Sequence, residues 1–403
     1  MMEEKAPRRG GLLGPIPRKV RLLVYALALN NLAAGYVLVY LTGYLPVVGF
    51  GAQSIGLLIA VEGTVVILAG IPLGLISDRK GRKWILILAS VGVGPAILVF
   101  YLTSTLATYL VGAVLFGLAE SGTLASWNAT LADQTDDTNR TSTFALSFIL
   151  STVLQACGFA LPLAFPFISM AAGVSIGTVH LDALAVLGIA NVSTPVILWF
   201  LLRNHKEVIR PQGPSKRNWG IILKFTAING LIGFGAGIII PLIPTWAHLK
   251  FGVPDTISGP LIAVSNVTIG FGAIASPRIA KRLGSVRAIV ATMGSSTIFM
   301  ASIAIIPTFF PAAGVYVVRA MLMNMSSPLM DSFIMGQVAP EERGFTSAVN
   351  SVTWRLPNSV SSFIGGALLQ SGFYDLPWLV ASGLYVIGIV TFFAAFRRTK
   401  ILA

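Results

Sequence analysis

The sequence predicts an all-α membrane protein, with twelve membrane-spanning helices in two pseudo-symmetric six-helix bundles. Three observations carry that prediction. The 403 residues are 55% hydrophobic and only 11% charged, too little charge to keep a chain of this length in water. The apolar residues come in repeated runs of about 20, the length at which a helix crosses a bilayer. The basic residues fall on alternate connections between those runs.

The runs cover 20–47, 54–76, 84–104, 107–132, 143–168, 181–202, 219–247, 257–276, 286–307, 311–337, 345–371 and 375–396, labelled α1 to α12. None shows the period-two alternation of a barrel strand. The α1 run follows a basic tail, is too long for a signal h-region and lacks a small-residue cleavage site, so it is expected to be retained. Domain boundaries follow: a tail 1–19, a bundle 20–202, a linker 203–218, a second bundle 219–396 and a tail 397–403. The linker segment "LLRNHKEVIRPQGPSKRNW" is basic and holds two prolines, the composition of a flexible connection.

The net charge of +13 raises nucleic acid as a partner, but its distribution points to a bilayer instead. Both tails and the even-numbered connections, counted with Arg21 and Arg287 at the second positions of the adjoining runs, carry 24 of the 28 Lys and Arg residues. The odd-numbered connections carry only Lys250, and Lys224, Arg319 and Arg355 lie within helices. This is the positive-inside pattern, which places both termini in the cytoplasm of a multi-pass protein. The plasma membrane is the expected location. Cys157 is the only cysteine and the three histidines keep no metal-ligand spacing, so neither an intrachain disulfide nor a metal or other cofactor is expected. No phosphate-binding loop and no catalytic constellation stands out, so an enzyme is not expected.

The chain also repeats itself. "GLLIAVEG" at 56–63 matches "GPLIAVSN" at 259–266, "DRKGRK" at 78–83 falls opposite "KRLGSV" at 281–286, and "NR" at 139–140 opposite "ER" at 342–343, all offset by 203. Near α1, "ALNNL" at 28–32 resembles "AINGL" at 227–231. Matches sharing one offset imply two bundles of similar build.

The segment "GLISDRKGRK", Gly74 to Lys83, concentrates five charges between two apolar runs. With the 6+6 repeat around it, it resembles the loop signature of the major facilitator superfamily (Gly, three residues, Asp-Arg, any residue, Gly, two basic residues), filled here by Gly74, Asp78, Arg79, Gly81, Arg82 and Lys83. The resemblance implies the fold and alternating-access transport of that family. It implies that Asp78 faces the N-terminus of α11 near Thr346 and Ser347, where a carboxylate meets the positive end of the helix dipole. It also implies that Arg82 pairs with Asp133 at the end of α4. Together these contacts would latch the bundles on the cytoplasmic side. Gly74 would let helices approach closely and Gly81 would permit a tight turn. The bare alternative is that the four basic residues only fix topology.

Ionisable residues inside the runs are costly and face a cavity, a partner or the interface. Glu62 lies about 12 Å and Glu120 about 18 Å down their helices at 1.5 Å per residue. Both are candidate proton carriers, able to load and release a proton as the cavity switches sides. The competing reading locks each to a helix neighbour. Arg319 and Arg355, near mid-depth, either bind an anionic solute or neutralise those carboxylates. Lys224 and Asp331 lie nearer the cytoplasmic ends. Asn30, Asn31, Tyr36, Gln155, Asn229 and Asn324 complete a candidate polar cavity for an organic solute, against the alternative of helix-to-helix hydrogen bonds. Two positions depart from the proton-coupled drug exporters of the family: Ala113 stands where they carry arginine, and "GFALP", Gly158 to Pro162, lacks their second glycine.

The reading is a secondary active transporter of a small organic solute, proton-coupled, with export favoured over uptake, acting as a monomer with solute, proton and lipid as partners and no nucleic acid. Two alternatives stay open: an uptake symporter or uniporter for an organic anion, and a non-transporting membrane sensor or scaffold.

Overall fold

The structure, a computed structural model of the chain, describes residues 16–102, 104–136, 139–204, 219–338 and 343–397, without the side chains at 78, 80, 269–274 and 343–345. The described residues hold twelve successive helical rods. Those of the first half are α1 Arg18–Val47, α2 Ala52–Lys80, α3 Arg82–Leu102, α4 Leu106–Asp133, α5 Arg140–Ala172 and α6 Ile176–Leu202. The second half contributes α7 Trp219–Phe251, α8 Asp255–Leu283, α9 Ser285–Ile305, α10 Phe309–Met335, α11 Arg343–Gln370 and α12 Leu376–Phe396. Among the described residues, nine of the twelve are long and apolar enough to cross a membrane. The other three, α8, α10 and α11, hold most of the polar side chains buried within the second half. The tail before residue 16, most of the linker (205–218) and the tail after residue 397 lie outside the described residues.

Several helices run past the expected ends. Hydropathy marks where the hydrocarbon ends, whereas a helix continues into the interface and welcomes basic residues at its C-terminus. Thus Asp78 to Lys80 form the last turn of α2 rather than a loop, and one residue, Gly81, separates α2 from α3. Gly81 has φ +108°, and its repeat partner Gly284, between α8 and α9, has φ +77°. Both are backbone settings that a Cβ resists. On the face away from the termini, α6 starts at Ile176 rather than 181, capped by Ser175, whose hydroxyl accepts the Thr178 N–H at 3.1 Å. There too α8 starts at Asp255 rather than 257. These shifts carry His180 and Asp255 into helices.

Each half uses the same five pairings. In the first, α1 packs on α5 and α6, α3 on α4 and α6, and α2 on α4. In the second, α7 packs on α11 and α12, α9 on α10 and α12, and α8 on α10. Leu68, Leu88, Phe167, Val186, Ile189 and Ile298 are among the exposed apolar side chains on the outside of the bundles, the surface a bilayer covers.

The bundles meet along two seams, α2 on α11 and α5 on α8. The seams are tight because small residues let backbones touch: a methyl added at Gly56 would collide with the Ser362 carbonyl, and one at Gly366 with the Ala52 carbonyl. Hydrogen bonds join the bundles at the face away from the termini, where Thr245 Oγ1 donates to the Thr42 carbonyl at 2.6 Å and the Gln53 N–H to Gln370 Oε1 at 2.9 Å. Gly74, expected to permit a close helix approach, has nothing within 4 Å of an added Cβ. That close approach is not made at Gly74, which stays half-exposed.

Candidate functional site

A cavity of about 600 Å³ lies between the bundles. It runs from Ile240 and Pro241 at its deep end to Met330, Asp331 and Asn350 nearer the basic face. Its wall is built mostly by α7, α8, α10 and α11, with Leu38 and Phe159 contributed by the first bundle. Four of the residues expected to bind solute line it: Asn229, Arg319, Asn324 and Arg355. Two of these asparagines also make hydrogen bonds within the protein. Asn229 Nδ2 donates to Asn350 Oδ1 at 2.7 Å, and Asn324 Nδ2 to the Ala320 carbonyl at 2.9 Å.

The other four, Asn30, Asn31, Tyr36 and Gln155, are not part of this wall. The cause is the close packing of α1 on α5, where a methyl on Gly35 would strike the Gln155 carbonyl. Asn31, Tyr36 and Gln155 instead point into helix interfaces. Asn31 Nδ2 donates to Ser151 Oγ and to the Leu27 carbonyl, both at 3.2 Å. Gln155 Oε1 accepts from Asn266 Nδ2 at 3.4 Å across the α5/α8 seam. Tyr36 is fully buried among aromatic rings. Asn30 is half-buried, and its Oδ1 has no partner among the described residues.

At mid-depth a charge cluster crosses between the bundles. Arg355 Nη1 on α11 donates to Glu120 Oε1 on α4 at 3.1 Å, with 40% and 35% of the two side chains exposed. Glu62 on α2 is within electrostatic reach of both. Arg355 thus pairs with Glu120, with Glu62 a second carboxylate nearby. Arg319 is different. It is 4% exposed, and its Nη2 donates to Tyr385 Oη at 3.0 Å and touches Met300 Sδ at 3.6 Å. The guanidinium carbon sits 5.6 Å from the centre of the Tyr385 ring. Among the described residues, no carboxylate lies within ion-pairing distance of Arg319. The two arginines looked alike in the sequence and are separated here by their partners.

At the basic face, Arg82 Nη1 pairs with Asp133 Oδ2 at 2.8 Å. The pair ties the start of α3 to the end of α4 inside one bundle, so by itself it does not bridge the two. Lys83 Nζ donates to the Arg203 carbonyl at 3.4 Å, and Arg79 is exposed. The Asp78 side chain, expected to seat against α11, lies outside the described residues. Thr346, at the foot of α11, is fully buried, and its hydroxyl has no partner among the described residues.

Sequence reasoning missed one cluster, at the opposite face. His180 on α6 and Asp255 on α8 are 0% and 3% exposed, with Nε2 and Oδ2 3.2 Å apart across the two bundles. The distance suits an ion pair, but neither atom is aligned for a hydrogen bond. The imidazole stacks on Tyr44 at 3.8 Å between ring centres, and Tyr36 Oη donates to the His180 carbonyl at 2.9 Å. Placing α6 from 181 and α8 from 257 left both residues in loops. Their value as a pair across the bundles had no local signal.

Tandem six-helix bundles, an intact Gly74–Lys83 segment and a central cavity holding intramembrane charges define a membrane transporter architecture. The chain belongs to the Major Facilitator Superfamily, whose family model matches residues 22–362. Solved structures agree in fold. A bacterial homolog of the human lysosomal transporter Spinster, inward-facing and occupied, superposes with a TM-score of 0.75 at 16% identity, covering 96% of this chain and 98% of that one. The nucleoside transporter NupG gives a TM-score of 0.71 at 15% identity, covering 95% and 100%. The human organic anion transporter MFSD10 gives 0.64 at 16%, covering 94% and 100%. A sequence comparison with curated proteins finds no match.

Proposed function

We propose that the protein is a proton-coupled secondary transporter of a small organic solute, working by alternating exposure of the central cavity. The observation that carries this reading is the Glu120–Arg355 pair, an ion pair between bundles at the edge of the cavity. Rocking the bundles strains or breaks it, so anything that changes its charge biases the motion. A proton is the simplest such agent. Glu62 and Glu120 together carry one more charge than Arg355 balances, and a proton on either carboxylate removes the excess. A proton on Glu120 also leaves Arg355 without its counter-charge, which makes the cavity more positive. Proton and anionic solute then bind together, which favours symport. The residues therefore support the organic-anion symporter over the exporter expected from the sequence. With both termini in the cytoplasm, as the basic residues imply, the Gly74–Lys83 segment lies at the inner face. In that orientation it acts as the inner latch between the bundles.

The test is proton exchange by the purified protein in weakly buffered detergent solution with a pH-sensitive dye, on adding small carboxylates. Wild type takes up protons as it binds. Glu62→Gln or Glu120→Gln binds without that uptake. Binding by wild type with no proton exchange would instead make the protein a uniporter.

A further inference from the structure

We infer that the solute enters with an anionic group, a carboxylate or one of similar size and charge, and that Arg319 is the residue that receives it. The inference rests on the transport reading above and names its substrate class. A guanidinium buried at mid-membrane persists only with partners that answer its charge. Both recorded partners of Arg319 are neutral, a phenol and a thioether, and both are reached from Nη2. Nε is buried with no acceptor, and Nη1 makes no hydrogen bond among the described residues.

The nearby acids do not supply the missing charge. Glu120 is taken by Arg355, and Glu62 interacts with that pair rather than with Arg319. Asp331 is twelve residues along the same helix, about 18 Å away at 1.5 Å per residue. What remains is a cation that lines an open cavity with unmet N–H groups, the usual recognition element for a planar oxyanion. The neighbouring wall offers the apolar faces of Tyr316, Trp354 and Met323 with a few amide groups from asparagine. Such a wall suits a small aromatic or branched acid, and a cavity of about 600 Å³ is in the range that encloses one.

The experiment measures thermal stabilisation of purified full-length protein at fixed ionic strength. The probes are 2-naphthoate and indole-3-acetate beside their neutral amides, applied to wild type, Arg319→Gln, Arg319→Lys and Tyr385→Phe. In wild type an acid should bind about 10- to 100-fold tighter than its amide, the worth of a charge-assisted hydrogen bond. That gap should vanish in Arg319→Gln, survive in part in Arg319→Lys, and persist in Tyr385→Phe, which removes only a neutral partner. The inference is overturned if no acid distinguishes wild type from Arg319→Gln, or if each amide matches its acid. Counterflow of the best-bound acid in vesicles separates the two readings. Arg319-dependent binding without counterflow breaks the transport proposal and leaves this one standing.

Discussion

The contact between His180 and Asp255 exists only while the faces away from the termini are closed, so its loss should open them. Asp255→Asn keeps the shape of the side chain and removes its charge. Breaking a fully ionised buried pair costs about 3–5 kcal/mol, and losing a hydrogen bond to a charged group about 1.5–3 kcal/mol. At 3.2 Å the contact is a close charge pair without an aligned hydrogen bond, which argues for no more than the low end, about 1.5 kcal/mol. In the open state both residues meet water, so the whole cost falls on the closed state. A loss of that size shifts the open-to-closed ratio about tenfold. The assay is pulsed electron–electron resonance between spin labels at Met170→Cys on α5 and Ile305→Cys on α9. These positions are 79% and 81% exposed on different bundles. Cys157→Ser removes the one native thiol. The longer-distance population should grow about tenfold relative to the shorter. Asp375→Asn is the control, because its pair with Lys250 is within one bundle. An unchanged distribution in Asp255→Asn would refute the reasoning, since the contact would then contribute nothing to closure.

Other expectations follow from local geometry. Gly81→Ala forces a Cβ onto φ +108° and should cost about 1–3 kcal/mol, read as a lower melting temperature; Gly294→Ala, with nothing within 4 Å, should not lower it. Gly366→Val places a branched side chain against the Ala52 carbonyl and should destabilise the α2/α11 seam by about 1–3 kcal/mol, seen as a lower melting temperature and a wider label distance between those helices. Asp133→Asn breaks a partly exposed pair worth about 0.2–1 kcal/mol, so stability should barely move; under the latch reading, counterflow of an accepted acid should still fall more than tenfold, and normal counterflow would reduce the pair to a structural contact.

Much of the architecture was written locally, and the site only partly so. Twelve apolar runs, basic residues on alternate connections and a repeat at one offset are properties of short windows, and the bilayer makes such windows decisive. Charged residues inside those windows were visible for the same reason: Glu62, Glu120, Arg319 and Arg355 each break an apolar run. What a window does not contain is the partner. Arg355 and Arg319 are both mid-helix arginines, yet one reaches Glu120, 235 residues away, and the other reaches no carboxylate among the described residues. Asn30, Asn31 and Tyr36 share a polar stretch of α1 that looked fit for a cavity wall. The glycine contact between α1 and α5 sends Asn31 and Tyr36 elsewhere, and a glycine's neighbours are set by packing, not by its own window. His180 and Asp255 were hidden twice, by helix starts misplaced by two to five residues and by a contact spanning two bundles. In the proposed alternating-access cycle, side chains that bridge the bundles are the ones best placed to couple binding to motion, and a linear reading reaches those side chains last.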